Sequence, residues 1–211
     1  MLPDGCVDII FNIEDDYRTE TGSVLMKSET TYLIGMMMHF KEYQTIGKSK
    51  ILGIRFKPAA LSCFFKLSSL HEFTNQSIEL ENMDLPLVHA IDKNTSAYLD
   101  RFFLRKLSPP KYSILPIIKD IEELNGQLKV GELAKKYFTS PRQLERNFKN
   151  LVGVSPKDFI SVVRYRFANR IIKNNTSRKC LAEIAFESGY YDHAHLTKEI
   201  KRFTGSAPSK L

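Results

Sequence analysis

After Ser140-Pro141 the chain holds several polar side chains of the types that can read the edges of base pairs. Their spacing would place them on one side of a helix. On such a helix Leu144 and Phe148 face inward, and the outward set is Arg142, Gln143, Glu145 and Arg146. A guanidinium pairs bidentately with guanine, and a glutamine amide pairs with adenine. The segment therefore predicts a base-reading surface.

A second segment has the same inward spacing, with Leu196 and Ile200 in the inward positions. Its outward residues are His193, Ala194, His195 and Lys198. The two histidines suggest a metal, but residues i and i+2 lie on different faces of a helix, and no cysteine or carboxylate completes a ligand set. We expect no metal and no cofactor, and we expect the histidines and Lys198 to face DNA.

Other polar residues between positions 135 and 202 are predicted to contact DNA phosphates, although part of such a surface is solvated in any protein. The predicted phosphate set is Lys135, Lys136, Ser140, Lys149, Arg164, Arg166, Lys201 and Arg202.

The net charge of +7 is unevenly distributed along the chain. Residues 1–107 hold 12 Lys and Arg against 14 Asp and Glu, whereas residues 108–211 hold 19 against 10. The halves therefore carry net charges of −2 and +9. This asymmetry indicates two domains, one with a polyanionic partner, although charge alone fits a solvated basic surface equally well.

Composition excludes several classes of protein. With 43% hydrophobic and 26% charged residues, the chain is neither collagen-like nor disordered. The longest uncharged apolar stretch, residues 32–38, is far shorter than the ~20 residues of a bilayer span, and the first residues do not resemble a signal peptide. Cys6, Cys63 and Cys180 are too far apart for a CxxC site. We expect reduced thiols and a cytoplasmic protein without a membrane partner.

Two short helix pairs must position the polar side chains described above. Leu133-Ala134 precedes Leu144 at nearly the same distance as Ile184-Ala185 precedes Leu196, and a small Ala lets two helices pack closely. This is the pattern of a helix-turn-helix, although a single copy also occurs in ordinary cores. A predicted helix over residues 155–174 joins the copies and is about 30 Å long. Since adjacent major grooves lie ~34 Å apart, it could space two recognition helices as well as serve as a core spine.

The remaining pattern predicts an α+β chain. Strands are expected at residues 7–12, 30–38, 42–46 and 50–56, followed by an apolar helix from Ala59, a helix near Leu85, and a helix from Asn94 or Thr95. The predicted domains are a β-rich sensor or dimerisation domain over 1–107, a linker over 108–113 and a helical domain over 114–211. Its recognition helices are expected at about 141–151 and 193–204.

At these residues the chain resembles the AraC/XylS family of bacterial transcription regulators. The similarity extends over about residues 114–208 and rests on Leu133-Ala134, residues 140–148, residues 153–156, Ile184-Ala185, Gly189-Tyr190, residues 196–205 and Pro208. It implies an all-α domain of seven helices with two helix-turn-helix units. The family usually has Gly where this chain has Phe138, Phe in place of Leu196 and Ile200, and Arg in place of Lys198. Lysine lacks the bidentate fork, which favours a phosphate contact for Lys198.

The front half resembles the N-terminal domain of an AraC-type subgroup through residues 2–12 and 53–58. This implies a small antiparallel, cupin-like β domain that binds an effector or dimerises. In that subgroup strands precede the Leu2-Pro-Asp-Gly motif, so we expect an incomplete sheet. His39, His71 and His89 form no facial triad, which argues against a metal enzyme.

Two groups of the front half have alternative interpretations. Met36-Met-Met38 with His39 is either sheet core or the lining of an apolar pocket. Asp4, Asp8 and Arg55 either form a structural ion-pair cluster or meet a ligand, and we favour structure.

The leading hypothesis is a sequence-specific transcription regulator that binds double-stranded DNA and is modulated through its front domain. Its further expected partners are a small-molecule effector, a second copy of the chain and RNA polymerase. The alternatives are a DNA-directed enzyme with a nucleophilic cysteine, for which Cys6 and Cys63 lack helper residues in sequence, and a ligand sensor without specific DNA binding.

Overall fold

The computed structural model describes residues 2–19, 24–41, 50–81, 83–87, 94–110, 112–174 and 179–210. Its first part is an antiparallel sheet in the order β5-β1-β4-β6, beside a two-stranded β2-β3 ribbon. The strands are β1 (Val7–Asn12), β2 (Tyr17–Thr19), β3 (Val24–Met26), β4 (Thr31–Ile34), β5 (Ile51–Phe56) and β6 (Ser77–Glu79). Strand β1 is the centre of the sheet, because it pairs with both β4 and β5.

Helices make up most of the second part. They are α1 (Thr95–Lys106), α2 (Leu115–Glu123), α3 (Val130–Lys136), α4 (Pro141–Leu151), α5 (Pro156–Lys173), α6 (Leu181–Glu187) and α7 (His193–Thr204). After residue 113 the described residues hold six α-helices and a 3-10 helix, Pro208–Lys210, which together give the expected seven helical elements. The α+β prediction is confirmed, and helices lie at both positions predicted for recognition helices.

Local capping signals fix where the important helices begin. The Ser140 hydroxyl accepts a hydrogen bond from the backbone N–H of Gln143 at 3.1 Å, and the Ser155 hydroxyl accepts one from the backbone N–H of Asp158 at 3.1 Å. The Asp192 carboxylate accepts from the His195 amide at 2.7 Å and begins α7. These contacts satisfy backbone donors that have no partner within the helix. Because the signals are local, the sequence predicts the helix starts well.

Several predictions for the front half are wrong in extent. The segment from Ala59 forms only one 3-10 turn, Ala60–Cys63, because Phe64, with φ −121°, leaves the helical conformation. Residues 83–87 are not helical, and β4 is shorter than the predicted strand. Three-residue strands such as β6 carry too little pattern to be predicted. The strand predicted at 42–46 and His89 lie outside the described residues.

The apolar core is continuous from the sheet into the helices. Val7 and Phe11 of the sheet belong to the same buried cluster as Phe148 and Phe159 of the helices. A Cβ on Gly5 would come within 2.9 Å of the Phe159 ring, and Arg166 donates to the Asp4 carbonyl at 3.0 Å. The two halves are therefore packed directly against each other. No helix among the described residues has the length and apolar character needed to cross a membrane.

Candidate nucleic-acid interface

Helix α4 presents its predicted set on one side and buries the other. Leu144 and Phe148 are fully buried, while Arg142, Glu145 and Arg146 are exposed and Gln143 is half-buried. Apolar residues at i and i+4 thus fix the orientation of the helix. The residues predicted to read bases are accessible, and the helix is anchored through the opposite side.

A hydrogen-bond chain on α4 joins Arg146, Gln143 and Asn147. The Arg146 guanidinium donates to the Gln143 carbonyl at 2.6 Å, and the Gln143 amide nitrogen donates to the Asn147 carbonyl at 2.8 Å. Arg146 is therefore oriented by its neighbours before any partner arrives. Asn147 is absent from the predicted set, although its position four residues after Gln143 was a sequence signal for this contact.

Helix α7 repeats the arrangement with different chemistry. Leu196 and Ile200 are fully buried, and His193, His195 and Lys198 are exposed. The His195 ring packs edge-on against Tyr190, with centroids 5.2 Å apart. The cation of the predicted set on α7 is the ammonium group of Lys198, a point charge, whereas α4 has the planar guanidinium of Arg146. The two helices therefore present different hydrogen-bond donors.

The predicted phosphate residues fall into three groups, of which the first two are exposed residues and cations in surface ion pairs. Lys135 and Lys201 are exposed, and Ser140 caps α4. Lys136 pairs with Asp120 at 2.6 Å, Lys149 with Glu145 at 2.9 Å, and Arg202 with Glu199 at 3.3 Å. The hydrogen bonds from Lys136 and Tyr137 hold the pKa of Asp120 below its usual value. Such pairs at an exposed surface are weak, so they leave these cations able to exchange partners.

Two residues of the predicted phosphate set serve the fold. The Arg164 guanidinium donates twice to the Gly126 carbonyl, at 3.0 and 2.8 Å, and lies over the Tyr190 ring. Arg166 donates to the front domain at Asp4. Both contacts join segments that are distant in sequence, which the local pattern could not indicate. A phosphate contact by either residue stays a prediction.

Exposed aromatic side chains flank both recognition helices. Phe138 is 98% exposed and has φ +48°, and it occupies the turn between α3 and α4. Phe186 and Tyr191 are nearly as exposed at the second unit. A bulky residue at positive φ is unusual, so Phe138 is unfavourable in the isolated domain both by conformation and by exposure.

In the front domain, Asp4, Asp8 and Arg55 form the predicted ion-pair cluster, and Met36-Met-Met38 lies in the core. Arg55 donates to Asp8 at 2.8 Å and to Asp4 at 2.9 Å, which forms an ion-pair cluster. Met36-Met-Met38 is buried, as sheet core requires. Among the described residues, no three His, Cys, Asp or Glu side chains are grouped to hold a metal ion.

The thiol of Cys6 is poorly suited to be a nucleophile. Burial and, next, the Asp4 carboxylate raise the pKa of Cys6 to about 11. Burial also raises the pKa of Cys63. The thiolate is the reactive form, so both side chains are weak nucleophiles near neutral pH.

Comparison with known proteins separates the chain into two matched regions. Residues 1–79 match a domain of unknown function, DUF6597, and residues 133–211 match a helix-turn-helix domain. The Msm operon regulatory protein of Streptococcus mutans is 24% identical over 153 residues, which cover 70% of this chain and 54% of that protein. The HTH-type transcriptional regulator ExsA of Pseudomonas aeruginosa is 26% identical over 107 residues, covering 51% of this chain and 37% of that protein.

The chain spans about half or less of the length of these curated relatives. In three dimensions it is similar to ToxT from Vibrio cholerae, with a TM-score of 0.50 at 10% identity, covering 99% of this chain and 90% of that one. This likeness concerns the fold, a β domain followed by a helical domain. The helix-turn-helix match over residues 133–211 and the two regulators found by sequence agree with the resemblance of the chain to the AraC/XylS family.

Proposed function

We propose that the protein is a sequence-specific DNA-binding transcription regulator of the bacterial cytoplasm. The observation that carries this proposal is the pair of anchored helices, α4 and α7, each with a buried apolar side and an exposed polar side. Helix α5 has 18 residues and is therefore about 27 Å long. Adjacent major grooves on one face of B-DNA lie ~34 Å apart, so the two helices would enter successive grooves.

Charge supports the same conclusion. Residues 108–211 carry a net charge of +9, and the exposed cations lie on and beside the recognition helices. Phosphate contacts supply most of the affinity of such proteins, whereas a few base contacts decide the sequence. We assign base reading to Arg146 and Arg142 in α4 and to the histidines in α7, and phosphate contact to Lys135, Lys149 and Lys201.

The test is selection of duplexes from a random library by the full-length protein, followed by measurement of the dissociation constant. We expect a selected site of about 17–20 bp with two elements one helical turn apart, bound at least ~10³-fold more tightly than unrelated DNA. Replacing Arg146 by Ala should cost about 1–3 kcal/mol on the selected duplex if the side chain reads a base. Lys119→Ala, which removes an exposed cation from α2, is the control. Equal binding of selected and unrelated duplexes would contradict the proposal.

We further propose that the front domain modulates DNA binding through a small-molecule effector. A cavity of about 700 Å³ lies where the front domain, α1 and the end of α4 meet. Its lining combines apolar side chains, among them Phe64, Phe65 and Leu67, with two cations, Lys66 and Lys106. This volume is within the range of small-molecule sites. A shift in thermal unfolding across a library of small metabolites, absent for a Leu67→Trp variant that fills the cavity, would support this assignment.

The relatives are transcription regulators, which supports a binding protein rather than an enzyme. A homodimer and a contact with RNA polymerase remain proposals. Sedimentation of the protein alone and with its selected duplex tests for the homodimer. Transcription from a promoter that contains the selected site tests for the contact with RNA polymerase.

A further inference from the structure

The front domain touches the first recognition helix itself. The 3-10 helix Leu70–Phe73 of the front domain packs against the C-terminal end of α4. The Ser69 hydroxyl donates to the Lys149 carbonyl at 3.4 Å, and the Thr74 hydroxyl donates to the Gly153 carbonyl at 2.6 Å. The two domains therefore meet beside the face of α4 that is predicted to read DNA.

A cleft of about 400 Å³ separates the two elements. Ser69 and His71 form its front-domain wall, and the α4 wall consists of Arg142, Glu145, Arg146, Lys149 and Asn150. Arg142, Arg146 and Lys149 stand at i, i+4 and i+7 and so share one side of the helix. The carboxylate of this wall, Glu145, already pairs with Lys149 at 2.9 Å. The cleft is therefore positively charged.

The hydrogen bond of His71 decides which of its nitrogen atoms is available. Its Nδ1 lies 2.8 Å from the Gly153 carbonyl oxygen. A carbonyl can only accept, so Nδ1 carries the proton. The ring lines the cleft, and Nε2 is the nitrogen without a partner in this contact. In the neutral ring Nε2 is an acceptor, whereas in the imidazolium it is a charged donor.

We propose that this cleft holds a phosphate of the DNA strand that borders the groove entered by α4, and that His71 takes up a proton and donates to this phosphate from Nε2. The inference rests on the proposed function and extends it, because it makes the front domain part of the DNA interface. The charged groups that line the cleft with the ring are Arg142, Glu145, Arg146 and Lys149 of α4, and Glu72 follows His71 in the same 3-10 helix. Three of the four α4 groups are cations. Lys149 would bind the phosphate together with the ring, and the base-reading Arg142 and Arg146 add positive potential to the cleft.

The contact gives the front domain a direct effect on affinity. Residues 69–74 belong to the front domain, so a small displacement of this domain would move His71 relative to α4. The phosphate contact would then weaken without any change in the base-reading side chains. Such a device changes affinity on every sequence alike, because phosphates carry no sequence information.

The experiment compares full-length variants on the selected duplex and on an unrelated duplex, at pH 6 and pH 8 and over a range of salt concentrations. His71→Asn retains a donor at the position of Nδ1 and removes Nε2. His71→Gln places an uncharged donor near the position of Nε2. The control is His39→Asn, which removes an exposed histidine of the same domain that does not line the cleft.

At pH 6 we expect His71→Asn to lower affinity about three- to tenfold on both duplexes, and to reduce the slope of log K against log salt by about 0.9. The loss should shrink as the pH rises from 6 to 8, because only the protonated ring donates from Nε2. His71→Gln should also lose the part of the affinity that depends on pH, because glutamine cannot take up a proton. Either variant therefore tests the proposal if the other fails to fold. His193 and His195 are common to all variants and therefore do not contribute to the difference between them.

Two results would overturn the inference. An unchanged affinity and salt slope in His71→Gln and His71→Asn would mean that the histidine serves only the domain contact. An increase in affinity would mean that the 3-10 helix obstructs DNA. Either result, with specific binding intact in the wild type, leaves the proposed function standing, whereas a wild type without specific binding contradicts the proposed function first.

Discussion

Gln143 has both ends of its side-chain amide engaged within α4. Its carbonyl accepts from Arg146 at 2.6 Å, and its nitrogen donates to Asn147 at 2.8 Å. A glutamine that reads adenine needs both of these atoms for the base. We therefore expect Gln143 to position Arg146 rather than to read a base pair of its own, which changes the role that the sequence suggests.

This role predicts that Gln143 and Arg146 act on the same base pair. Gln143→Ala should weaken binding to the selected duplex, and the double variant with Arg146→Ala should lose about 0.5–1.5 kcal/mol less than the sum of the single losses. Gln143→Ala combined with Lys198→Ala on α7 should be additive, since these residues lie on different helices. A separate base preference lost with Gln143, or additivity with Arg146, would contradict the positioning role.

Cys6 allows a chemical test of the enzyme alternative. With a pKa raised to about 11 by burial and by Asp4, only about one molecule in a thousand is thiolate at pH 8. We expect iodoacetamide to modify the exposed Cys180 at least tenfold faster than Cys6, as followed by mass spectrometry of peptides. Equal rates at Cys6 and Cys180 would reveal an activated thiol and would reopen the nucleophilic alternative.

At the scale of the elements, prediction succeeded where the determinants are local. Ser140, Ser155 and Asp192 each cap the helix that follows, and the apolar spacing of Leu144 and Phe148 sets the buried side. The apolar segment after Ala59 has the composition of a helix, yet it forms one 3-10 turn that follows Ala59 at φ +62° and ends at Phe64 with φ −121°. Packing against distant residues determines this conformation, and a local pattern contains no information about it.

The turn of the first helix-turn-helix offers a stability prediction. Phe138 is in the left-handed region at φ +48°, where Gly189 of the second unit has φ +73°. Since the ring is 98% exposed, its removal loses almost no burial. We expect Phe138→Gly to raise the free energy of unfolding by about 0.5–1 kcal/mol.

The matched control for this substitution is Phe186→Gly. Phe186 is 87% exposed but lies within α6, so glycine should there lower the free energy of unfolding by about 0.5–1 kcal/mol. Urea denaturation followed by circular dichroism measures both variants. Destabilisation by Phe138→Gly would mean that the aromatic ring has a structural role in the free protein.

At the scale of the whole molecule, the contact between the domains is what the sequence could not predict. His71 and Thr74 contact Gly153 across about 80 positions of sequence. The resemblance to the family predicts a glycine there as part of the turn after α4, but the resemblance says nothing about a front-domain helix against it. The same glycine therefore serves the turn and the domain interface together.

The double role of Gly153 predicts a distinctive effect of Gly153→Ala. Its φ of +103° is unfavourable for any side chain, and a Cβ would lie 3.1 Å from the Leu70 carbonyl oxygen and 3.2 Å from the Thr74 hydroxyl. Gly205 provides the comparison, because it has φ +73° but a Cβ there would lie 3.5 Å from Phe40, an ordinary contact. We expect Gly205→Ala to cost about 1 kcal/mol of unfolding free energy and Gly153→Ala about 2–3 kcal/mol.

Hydrogen exchange would separate the cost of backbone strain at the glycine from the cost of the steric conflict at the domain contact. In Gly153→Ala the amides of residues 70–74 should exchange faster, because the front-domain helix must move away from α4 to admit the methyl group. In Gly205→Ala those amides should keep the exchange rates of the wild type, since the strain remains at the end of α7. If both variants leave residues 70–74 unchanged, the contact at Gly153 does not couple the domains. The coupling is supported only when faster exchange at 70–74 accompanies the larger loss of stability.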